Sequence, residues 1–402
     1  MASQNAIYGT TCNPYDLQRT SGGSSGGESA LVAARGSPVG IATDVGGSIR
    51  IPAFFTGLVS LKPTVDRLSY RGIAVPRLND RSGQREVRPT AGAMAKTVSD
   101  VELLMDVWCQ EGLYSADISI PRMPWDHAQY LSVGTSAAPL RYGYFICDGW
   151  FEPAECCARA VRESVEALRA AGHEVVAFAP EEMAEAALLY VSLLAAEGNF
   201  RGFVEGIQGE ALHPSYAFLK SVAQLPNWVR PLLAAAVRRR GEARKAELIW
   251  AGRGKSTYDY WQVTAQAQAL RKRFLDRFEA AGIDALLCPG LALPAFPHGT
   301  SVLLNQACSY TFVWNLFNLP AGTVPVTRVR TDEQFYEPSR HRNDSLTRAA
   351  QGAMKGSAGL PIGVQVVALP WREEKCLGAM KRLEAALARD VPSPPADVMG
   401  LA

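Results

Sequence analysis

The chain has 402 residues, a formal net charge of +2 and 48% hydrophobic residues, which is the composition of a folded globular protein. Its 41 basic and 39 acidic residues nearly balance, which argues against nucleic acid as a partner. The eight cysteines include no CxxC pair, so we interpret them as reduced thiols and predict a cytoplasmic location. Residues 1–11 lack a targeting pattern, and no apolar run reaches the ~20 residues that cross a membrane.

Apolar periodicity predicts helices and strands that alternate along the chain, as in α/β proteins. The predicted elements, in chain order, are a helix at 30–34, a strand at 39–42, a helix opened by the capping box Ser99-x-x-Glu102, a strand at 141–147, a helix at 154–171, a strand at 174–178, a helix at 259–281, strands at 285–288 and 362–368, and a helix at about 372–389. Segment 328–356 is charged and lacks this periodicity, so we predict a surface excursion there. The apolar segments on its two sides read as parts of one body, and we predict a single domain over residues 1–402.

Two segments rich in glycine and serine combine features that suggest chemistry. They read GGSSGGE at 22–28 and TDVGGSIRIP at 43–52. A run of glycine and serine is often a flexible linker, and the second segment could be a turn into a strand, but the packed helix and strand predicted beside them weaken the linker interpretation. Successive backbone NH groups in such segments can form an anion-binding nest. A serine beside the nest can attack a carbonyl if another group removes its proton.

Histidine, the usual proton acceptor of a serine hydrolase, is not identified by any pattern here. The five histidines lie well downstream, in ordinary polar or proline-adjacent contexts: His127, His173, His213, His298 and His341. The nucleophile-elbow pattern G-x-S-x-G is met formally by Ser24 and Ser25 and not by Ser48. Segment 17–21 is too polar for the buried strand that precedes such an elbow. Ordinary α/β-hydrolase chemistry is therefore disfavoured, although a Ser-His-Asp triad stays open.

The stretch from Gly22 to Ala53 resembles the amidase-signature family, whose signature spans both segments with a fixed spacing between two serines. The resemblance implies that Ser48 is the acyl-forming nucleophile and that Ser24, on a cis peptide, relays its proton. The backbone NH groups that match the oxyanion hole, and would bind substrate together with Ser24, are those of Val45, Gly46, Gly47 and Ser48. The positions that match supporting hydrogen-bonding residues, and could equally be turn or structural partners, are Ser25, Asp44 and Arg50.

The same resemblance implies an architecture and a cofactor requirement. We expect the α/β amidase-signature fold, which has a twisted mixed β-sheet core covered by helices. The family mechanism implies no metal and no organic cofactor. Function inferred from a family is an analogy, so each role is an expectation about named residues.

Within that family the chain is most similar to the fatty acid amide hydrolases. The segments that carry this likeness are NPYD at 13–16, LKPT at 61–64, PAGTVPV at 320–326 and GLPIGVQVVALPW at 359–371. They imply a lipid amide as the small-molecule substrate. Segment 212–240, which is apolar and ends in three arginines, resembles the cap by which such enzymes sit on a membrane; the alternative is a buried helix pair with solvated arginines. A peripheral membrane contact and a homodimer are both compatible with the resemblance.

The third catalytic residue of the family has no counterpart in this sequence. The mechanism needs a neutral lysine, upstream of the glycine motif, that accepts the proton from the relay serine. No lysine precedes Lys62, and Lys62 belongs to a separate family segment, so it is a poor substitute. Met1 already falls within the stretch that aligns with the family body. We therefore expect either an amino-terminally truncated, incomplete domain or a shortened relative that has lost the base.

Three hypotheses for the function follow from these observations. The first is an amidase, a hydrolase of carbon–nitrogen bonds other than peptide bonds, that acts on fatty acid amides through a serine acyl-enzyme. The second is a catalytically impaired fragment or pseudoenzyme with a lipid-binding role, which would retain an acyl ligand without turnover. The third is the amidase-like subunit of a glutamine-dependent amidotransferase, which would copurify with partner subunits. The carboxyl-terminal segments make the third hypothesis the least favoured.

Overall fold

The computed structural model describes residues 2–73, 85–198, 225–388 and 394–395. The strands in these residues are β1 (Gln4–Asn5), β2 (Gly9–Thr10), β3 (Cys12–Asn13), β4 (Asp16–Thr20), β5 (Val39–Asp44), β6 (Val59–Lys62), β7 (Thr90–Ala95), β8 (Arg141–Tyr144), β9 (Glu174–Ala177), β10 (Ala285–Pro289), β11 (Ala321–Arg328) and β12 (Pro361–Val367). The α-helices are α1 (Gly26–Ala33), α2 (Arg50–Phe55), α3 (Val98–Trp108), α4 (Glu111–Ala116), α5 (His127–Thr135), α6 (Glu155–Ala170), α7 (Met183–Leu194), α8 (Arg230–Arg239), α9 (Ala243–Ala251), α10 (Thr257–Ala280), α11 (Ser309–Leu316), α12 (Ser345–Met354) and α13 (Glu373–Leu387).

Eight strands form one mixed sheet in the order β5-β7-β6-β11-β12-β10-β8-β9. Neighbours are antiparallel from β5 through β10, whereas β10, β8 and β9 run parallel. Strands β6, β7, β10 and β12 are buried along their whole length. Helices α2, α6 and α13 pack against the central strands, which explains why those strands read as continuous apolar runs. The arrangement confirms the predicted α/β class, a mixed sheet covered by helices.

A small hydrophobic cluster fixes the two glycine-rich segments relative to each other. Its buried members come from α1, β5, α2, β7 and the residues flanking them: Val32, Ala33, Ala42, Ile49, Ala53, Leu58 and Met94. Burying a side chain as large as valine or leucine contributes roughly 1.5–3 kcal/mol. Helix α1 follows the β4–α1 loop (residues 21–25), and β5 leads into the β5–α2 loop (residues 45–49). The cluster therefore holds both loops between packed elements.

Most predicted elements are present, with ends that differ by a few residues. The predicted helices at 30–34, 154–171, 259–281 and about 372–389 correspond to α1, α6, α10 and α13, and the predicted strands at 39–42, 174–178, 285–288 and 362–368 to β5, β9, β10 and β12. The strand predicted at 141–147 is β8, which ends at Tyr144. Helix α6 ends before Gly172, whose φ of 88° is the left-handed conformation that glycine adopts readily at this position.

The prediction of a capping box at Ser99 and Glu102 is wrong, although the helix that it predicted is present. Helix α3 is capped by Thr97, whose hydroxyl accepts a hydrogen bond from the Asp100 amide at 3.2 Å. Ser99 lies inside the first turn, and Glu102 accepts a hydrogen bond from the Trp125 indole at 3.0 Å. Both four-residue patterns fit the rule, and the extended backbone of Thr97 decides between them.

Segment 328–356 matches the predicted surface excursion in part, because most residues from 330 to 343 are exposed, but it does not match throughout. It contains helix α12, and two of its carboxylates, Glu333 and Asp344, are only 6% and 2% exposed. Glu333 pairs with Arg159 at 2.5 Å, and Asp344 pairs with Arg244 at 2.7 Å. The charges that suggested solvent exposure are satisfied by distant arginines, because buried charges persist when they are paired and hydrogen-bonded.

Strand β4, which precedes the β4–α1 loop, lies outside the eight-stranded sheet. It pairs with β3 in a separate two-stranded sheet, and Leu17 within it is half exposed. The first glycine segment therefore does not follow a buried strand of the main sheet. This agrees with the interpretation of segment 17–21 as unsuited to a nucleophile elbow.

The segment that resembles a membrane cap is described only in its second half. Residues 212–224 lie outside the described residues, and the remainder forms α8 and the turn before it. Trp228 and Leu232 are 75% and 68% exposed, so this half is not the buried helix pair that stood as the alternative. In the described parts of the chain, no helix is long and apolar enough to cross a membrane.

Candidate active site

The β4–α1 and β5–α2 loops lie in direct contact. The backbone amide of Ser25 donates to the backbone carbonyl of Ser48 at 3.4 Å. At the other end of the contact, the backbone of Gly22 packs on Pro52 so closely that an added Cβ would lie 2.7 Å from the Pro52 Cα. Two segments that are separated by about twenty residues of sequence thus meet along their length, which is the arrangement that the proposed serine pair requires.

The two candidate catalytic serines differ in their surroundings. Ser24 is exposed and Ser48 is half-buried. The peptide bond between Gly23 and Ser24 is cis. The described backbone hydrogen bond between the loops involves the amide of Ser25, and neither serine hydroxyl takes part in it. Among the described residues, no hydrogen bond joins the two hydroxyls to each other or to another group.

The carboxylate of Asp44 is the centre of the hydrogen-bond network below the β5–α2 loop. Asp44 is fully buried. Its oxygens accept hydrogen bonds from the amides of Gly47 (2.6 Å) and Ile49 (3.2 Å), from Nε and Nη2 of Arg50 (both 3.1 Å) and from Nδ2 of Asn315 (2.8 Å). Burial raises the pKa of this carboxyl, but the Arg50 guanidinium and the Asn315 amide more than offset that effect and hold the pKa below its usual value.

Arg50 links this network to the rest of the sheet and helices. Its side chain is fully buried. Besides Asp44, it donates to Oδ1 of Asn315 at 2.6 Å and to Oε1 of Gln365 at 3.0 Å. Asn315 lies on α11 and Gln365 on β12. The loop that carries Ser48 is therefore tied to two elements more than 260 residues away along the chain.

Three of the four amides in the predicted oxyanion hole have no hydrogen-bond acceptor in the described residues. The Gly47 amide is occupied by Asp44 Oδ1. The amides of Val45, Gly46 and Ser48 donate no hydrogen bond within the described residues. Preorganised amides of this kind stabilise negative charge that develops on a substrate oxygen. The Gly47 amide already has an acceptor, so the other three amides are the remaining candidates for binding an anion.

Close packing explains why glycine occupies both central positions of the loop. A Cβ on Gly46 would lie 2.2 Å from the hydroxyl oxygen of Tyr190. A Cβ on Gly47 would lie 2.3 Å from Oγ1 of Thr311, and Gly47 has a φ of 120°, which other residues rarely adopt. Side chains from α7 and α11 thus pack directly against Gly46 and Gly47.

Lys62 is buried away from the candidate serines' hydrogen bonds. Its Nζ donates to the Pro63 carbonyl at 2.7 Å. Burial lowers the pKa of Lys62 to about 7; Arg50 lowers it further, while Asp44 and Glu373 raise it. Among the described residues, no hydrogen bond connects Lys62 with Ser24 or Ser48, so its geometry gives no support to a role as their base.

In the described residues, no hydrogen bond joins an imidazole to either of the two loops. The hydrogen bonds of the imidazoles join His127 to Glu102, His173 to the Leu140 amide and His298 to the Leu17 carbonyl. His213 lies outside the described residues. In the same residues, no group of three or more His, Cys, Asp or Glu side chains is placed to hold a metal ion.

Sequence reasoning identified the loops but missed the side chains that hold them. Asn315 and Gln365 had a usable signal, because each is a polar residue within an apolar run that the structure buries. Tyr190 and Thr311 carried no such signal, since tyrosine and threonine are ordinary in a packed helix. Their contacts with the loop depend on the relative placement of α7 and α11.

Comparison with known proteins places this geometry in a family. A family model described as Amidase matches residues 1–377. Fatty acid amide hydrolase 1 of Caenorhabditis elegans is 36% identical over 388 residues, covering 95% of this chain and 66% of the relative. Fatty-acid amide hydrolase 1 of Sus scrofa is 34% identical over 387 residues, covering 96% and 65%. The chain thus spans about two thirds of the length of these curated relatives.

Two solved structures share the fold of this chain. A fatty acid amide hydrolase superposes with a TM-score of 0.77 at 24% identity, over 97% of this chain and 63% of the other. A 6-aminohexanoate cyclic dimer hydrolase complexed with substrate gives a TM-score of 0.67 at 23% identity, over 97% and 73%. At these identities the likeness establishes the fold. The family match over most of its length shows that this chain is a member of the amidase family.

Proposed function

We propose that this chain hydrolyses carboxylic amides through a covalent acyl-enzyme. Ser48 attacks the amide carbonyl while Ser24 accepts and passes on its proton, and the amides of Val45, Gly46 and Ser48 hold the oxyanion. The C–N bond then breaks, the amine leaves with the proton that Ser24 relays, and the acyl group stays on Ser48. Water hydrolyses this ester, which releases the carboxylic acid and returns a proton to Ser48. The observation that carries the proposal is the contact between the two loops, the Ser25 amide on the Ser48 carbonyl, beside three amides that have no acceptor in the described residues.

The buried ion pair supports the proposal because it makes the loop rigid. Asp44 and Arg50 are both fully buried and hydrogen-bonded, and an oxyanion hole is effective only when its donors are already oriented. In this proposal Asp44 and Arg50 are supporting residues that position the loop. Ser25 supports it through its backbone, which joins the two loops.

The described residues include no identified group that would accept the proton from Ser24. No lysine precedes Lys62 in the sequence, and Lys62 is bonded to a carbonyl of its own strand segment. We propose that the Ser-cis-Ser-Lys relay lacks its lysine in this chain. Loss of one triad member leaves a residual catalysis of roughly 10³–10⁴-fold over water from the oxyanion hole and binding, so we expect slow turnover.

The proposed substrates are fatty acid amides. Two curated relatives that match over most of this chain are named fatty acid amide hydrolases, and a solved structure of that name has the same fold. We expect a long-chain primary amide to be hydrolysed faster than acetamide. Ser48→Ala should abolish release of the acid. Ser132→Ala, which removes an exposed hydroxyl on α5, should leave it unchanged.

A measurement of acid release separates the proposal from its alternative. If the wild-type chain releases no more acid than Ser48→Ala from either amide, the hydrolase proposal fails. The alternative is a catalytically impaired lipid-binding protein. That candidate predicts a fatty acyl ligand that stays bound, detectable by native mass spectrometry, with no turnover.

We further propose that α8 and the turn before it touch a membrane surface. Trp228 and Leu232 are exposed there, and Arg238, Arg239 and Arg240 are exposed beside them. Apolar residues next to basic ones are what an interfacial helix requires. Sedimentation with anionic vesicles should fall when Trp228 and Leu232 are both replaced by Ser. A homodimer, which the family resemblance also allows, is tested by light scattering on the same samples.

A further inference from the structure

Two carbonyls of the β5–α2 loop are held by hydroxyl groups from other elements. The Tyr190 hydroxyl donates to the Val45 carbonyl at 3.1 Å. The Thr311 hydroxyl lies 2.9 Å from the Gly46 carbonyl and 2.8 Å from the Cys308 carbonyl, and its single proton is shared between these two acceptors. Tyr190 lies on α7 and Thr311 on α11. Both hydroxyls contact carbonyl oxygens of the loop, and no described hydrogen bond joins either of them to an amide of the loop.

Holding a carbonyl determines where the amide of the same peptide points. The peptide unit is planar, and in its trans form the C=O and N–H bonds point in opposite directions. The peptide between Val45 and Gly46 is trans, since the cis bond in the described residues is at Gly23–Ser24. The bond from Tyr190 to the Val45 carbonyl therefore aims the Gly46 N–H away from α7. The Gly46 amide is one of the three with no acceptor in the described residues.

Tyr190 is itself held firmly enough to act as a fixed donor. Its ring stacks on Phe312 with the centroids 4.5 Å apart and an interplanar angle of 16°. The residue is 6% exposed. Burial raises the pKa of the Tyr190 phenol, and Asp44 raises it further, so the hydroxyl keeps its proton at neutral pH. Gly46 lies close against this hydroxyl, as the 2.2 Å separation for an added Cβ indicates.

From these contacts we propose that Tyr190 is a positioning residue of the active site, whose hydroxyl orients the Val45–Gly46 peptide so that the Gly46 N–H faces the developing oxyanion. The inference rests on the proposed function of the β5–α2 loop. Tyr190 touches neither substrate nor the reacting serine in this scheme. It acts through the backbone, and its contribution is made in the transition state more than in substrate binding.

Tyr190→Phe tests this role, because it removes the hydroxyl and keeps the ring that stacks on Phe312. The matched control is Tyr336→Phe, which removes another buried tyrosine hydroxyl that donates to a carbonyl, that of Glu152 at 2.8 Å. Reaction with an alkyl fluorophosphonate tests the proposed oxyanion hole. As the serine attacks phosphorus, negative charge builds on the phosphoryl oxygen, as it does on the carbonyl oxygen of an amide. The rate is measured against probe concentration to separate reversible binding from the bond-forming step.

We expect the bond-forming rate of Tyr190→Phe to fall about tenfold to a hundredfold, somewhat less than the loss from deleting an oxyanion donor. The reversible binding constant should be unchanged, and Tyr336→Phe should match the wild type in both quantities. A bond-forming rate in Tyr190→Phe equal to that of wild type overturns the proposal. A fall shared equally by Tyr336→Phe also overturns it, because the effect would then be a general loss of packing.

A second measurement keeps the inference distinct from the proposed function. Hydrogen–deuterium exchange is followed at the amides of Gly47 and Ile49, which donate to Asp44 and are protected only while the loop is ordered. Their exchange should accelerate in Tyr190→Phe and not in Tyr336→Phe; unchanged exchange overturns the inference. If the wild-type chain does not react with the probe at all, the proposed function fails, and this exchange result still decides whether Tyr190 orders the loop.

Discussion

Replacing Asp44 by Asn should destabilise the protein strongly, because the carboxylate accepts five hydrogen bonds at a fully buried position. Oδ1 accepts from the Gly47 amide, Nη2 of Arg50 and Nδ2 of Asn315, whereas Oδ2 accepts from the Ile49 amide and Nε of Arg50. An asparagine can keep its oxygen on one side only. Its NH₂ group then faces two donors, and the guanidinium loses its negative partner.

The expected cost is about 3–5 kcal/mol, the range observed when one partner of a buried ion pair is removed. The two donors left without an acceptor are part of that cost and are not added to it. A domain with a stability of 5–15 kcal/mol can tolerate this loss, so the variant remains measurable. The control is Asp66→Asn. Asp66 pairs with Arg88 at a half-exposed site and has a φ of 70° that asparagine tolerates, so its cost should stay below about 1 kcal/mol.

The pH dependence of the difference gives a second, independent check. The pKa of Asp44 is lowered in the folded state, so its contribution to stability is complete above the ordinary carboxyl pKa and is lost as the pH falls through the lowered value. The gap between wild type and Asp44→Asn should therefore be largest at neutral pH and shrink below about pH 4. Urea unfolding followed by circular dichroism and tryptophan fluorescence measures both quantities. A cost no larger than that of Asp66→Asn, or a gap that persists in acid, would refute the reasoning.

Three further predictions concern other buried contacts. Burial lowers the pKa of Lys62 in the folded state to about 7, from an ordinary 10.5, which corresponds to roughly 5 kcal/mol in the free energy of binding the proton. Because the unfolded chain keeps this proton to higher pH, the free energy of unfolding of the wild type should rise between about pH 7 and 10. Urea titrations of Lys62→Met should lack this rise. Gly46→Ala should slow fluorophosphonate labelling by more than about tenfold, since its Cβ has no room, whereas Gly27→Ala, with its nearest neighbour 4.0 Å away, should label at the wild-type rate. Glu333→Gln should cost about 1.5–3 kcal/mol of unfolding free energy, because Arg159 loses a buried charged partner; a cost near zero by urea titration would show that the pair adds nothing to holding segment 328–356.

Local patterns predicted the elements of this fold better than they predicted the contacts between them. The helices α6 and α10 and the strands β10 and β12 follow from apolar periodicity, because each is bounded by turn or capping signals within a few residues. The cap of α3 was misplaced because Thr97 and Ser99 both begin a pattern that fits the rule. Only the backbone conformation, extended at Thr97, distinguishes them.

The long-range charge pairs could not be predicted from the sequence. Glu333 and Arg159 are 174 residues apart, and Asp344 and Arg244 are 100 residues apart. A carboxylate in a charged segment looks solvated until its partner is known. For this reason segment 328–356 was expected at the surface, although several of its polar residues are buried.

The same distinction between predictable segments and unpredictable contacts applies to the candidate site. The two glycine-rich segments and their serines could be found from local residue types and a family spacing. That the Gly47 amide is committed to Asp44 could not be found, because it depends on how the loop folds back on its own carboxylate. The contact between the two loops likewise depends on the packing of α1, β5 and α2.

We propose that Ser48 is the nucleophile and that Ser24, on the neighbouring loop, relays its proton. Mass-spectrometric mapping of the adduct formed with an alkyl fluorophosphonate tests this claim most directly. We expect one phosphonyl group per chain, located on Ser48, with slower labelling in Ser24→Ala and none in Ser48→Ala. An adduct on any other residue, or undiminished labelling of Ser48→Ala, would contradict it.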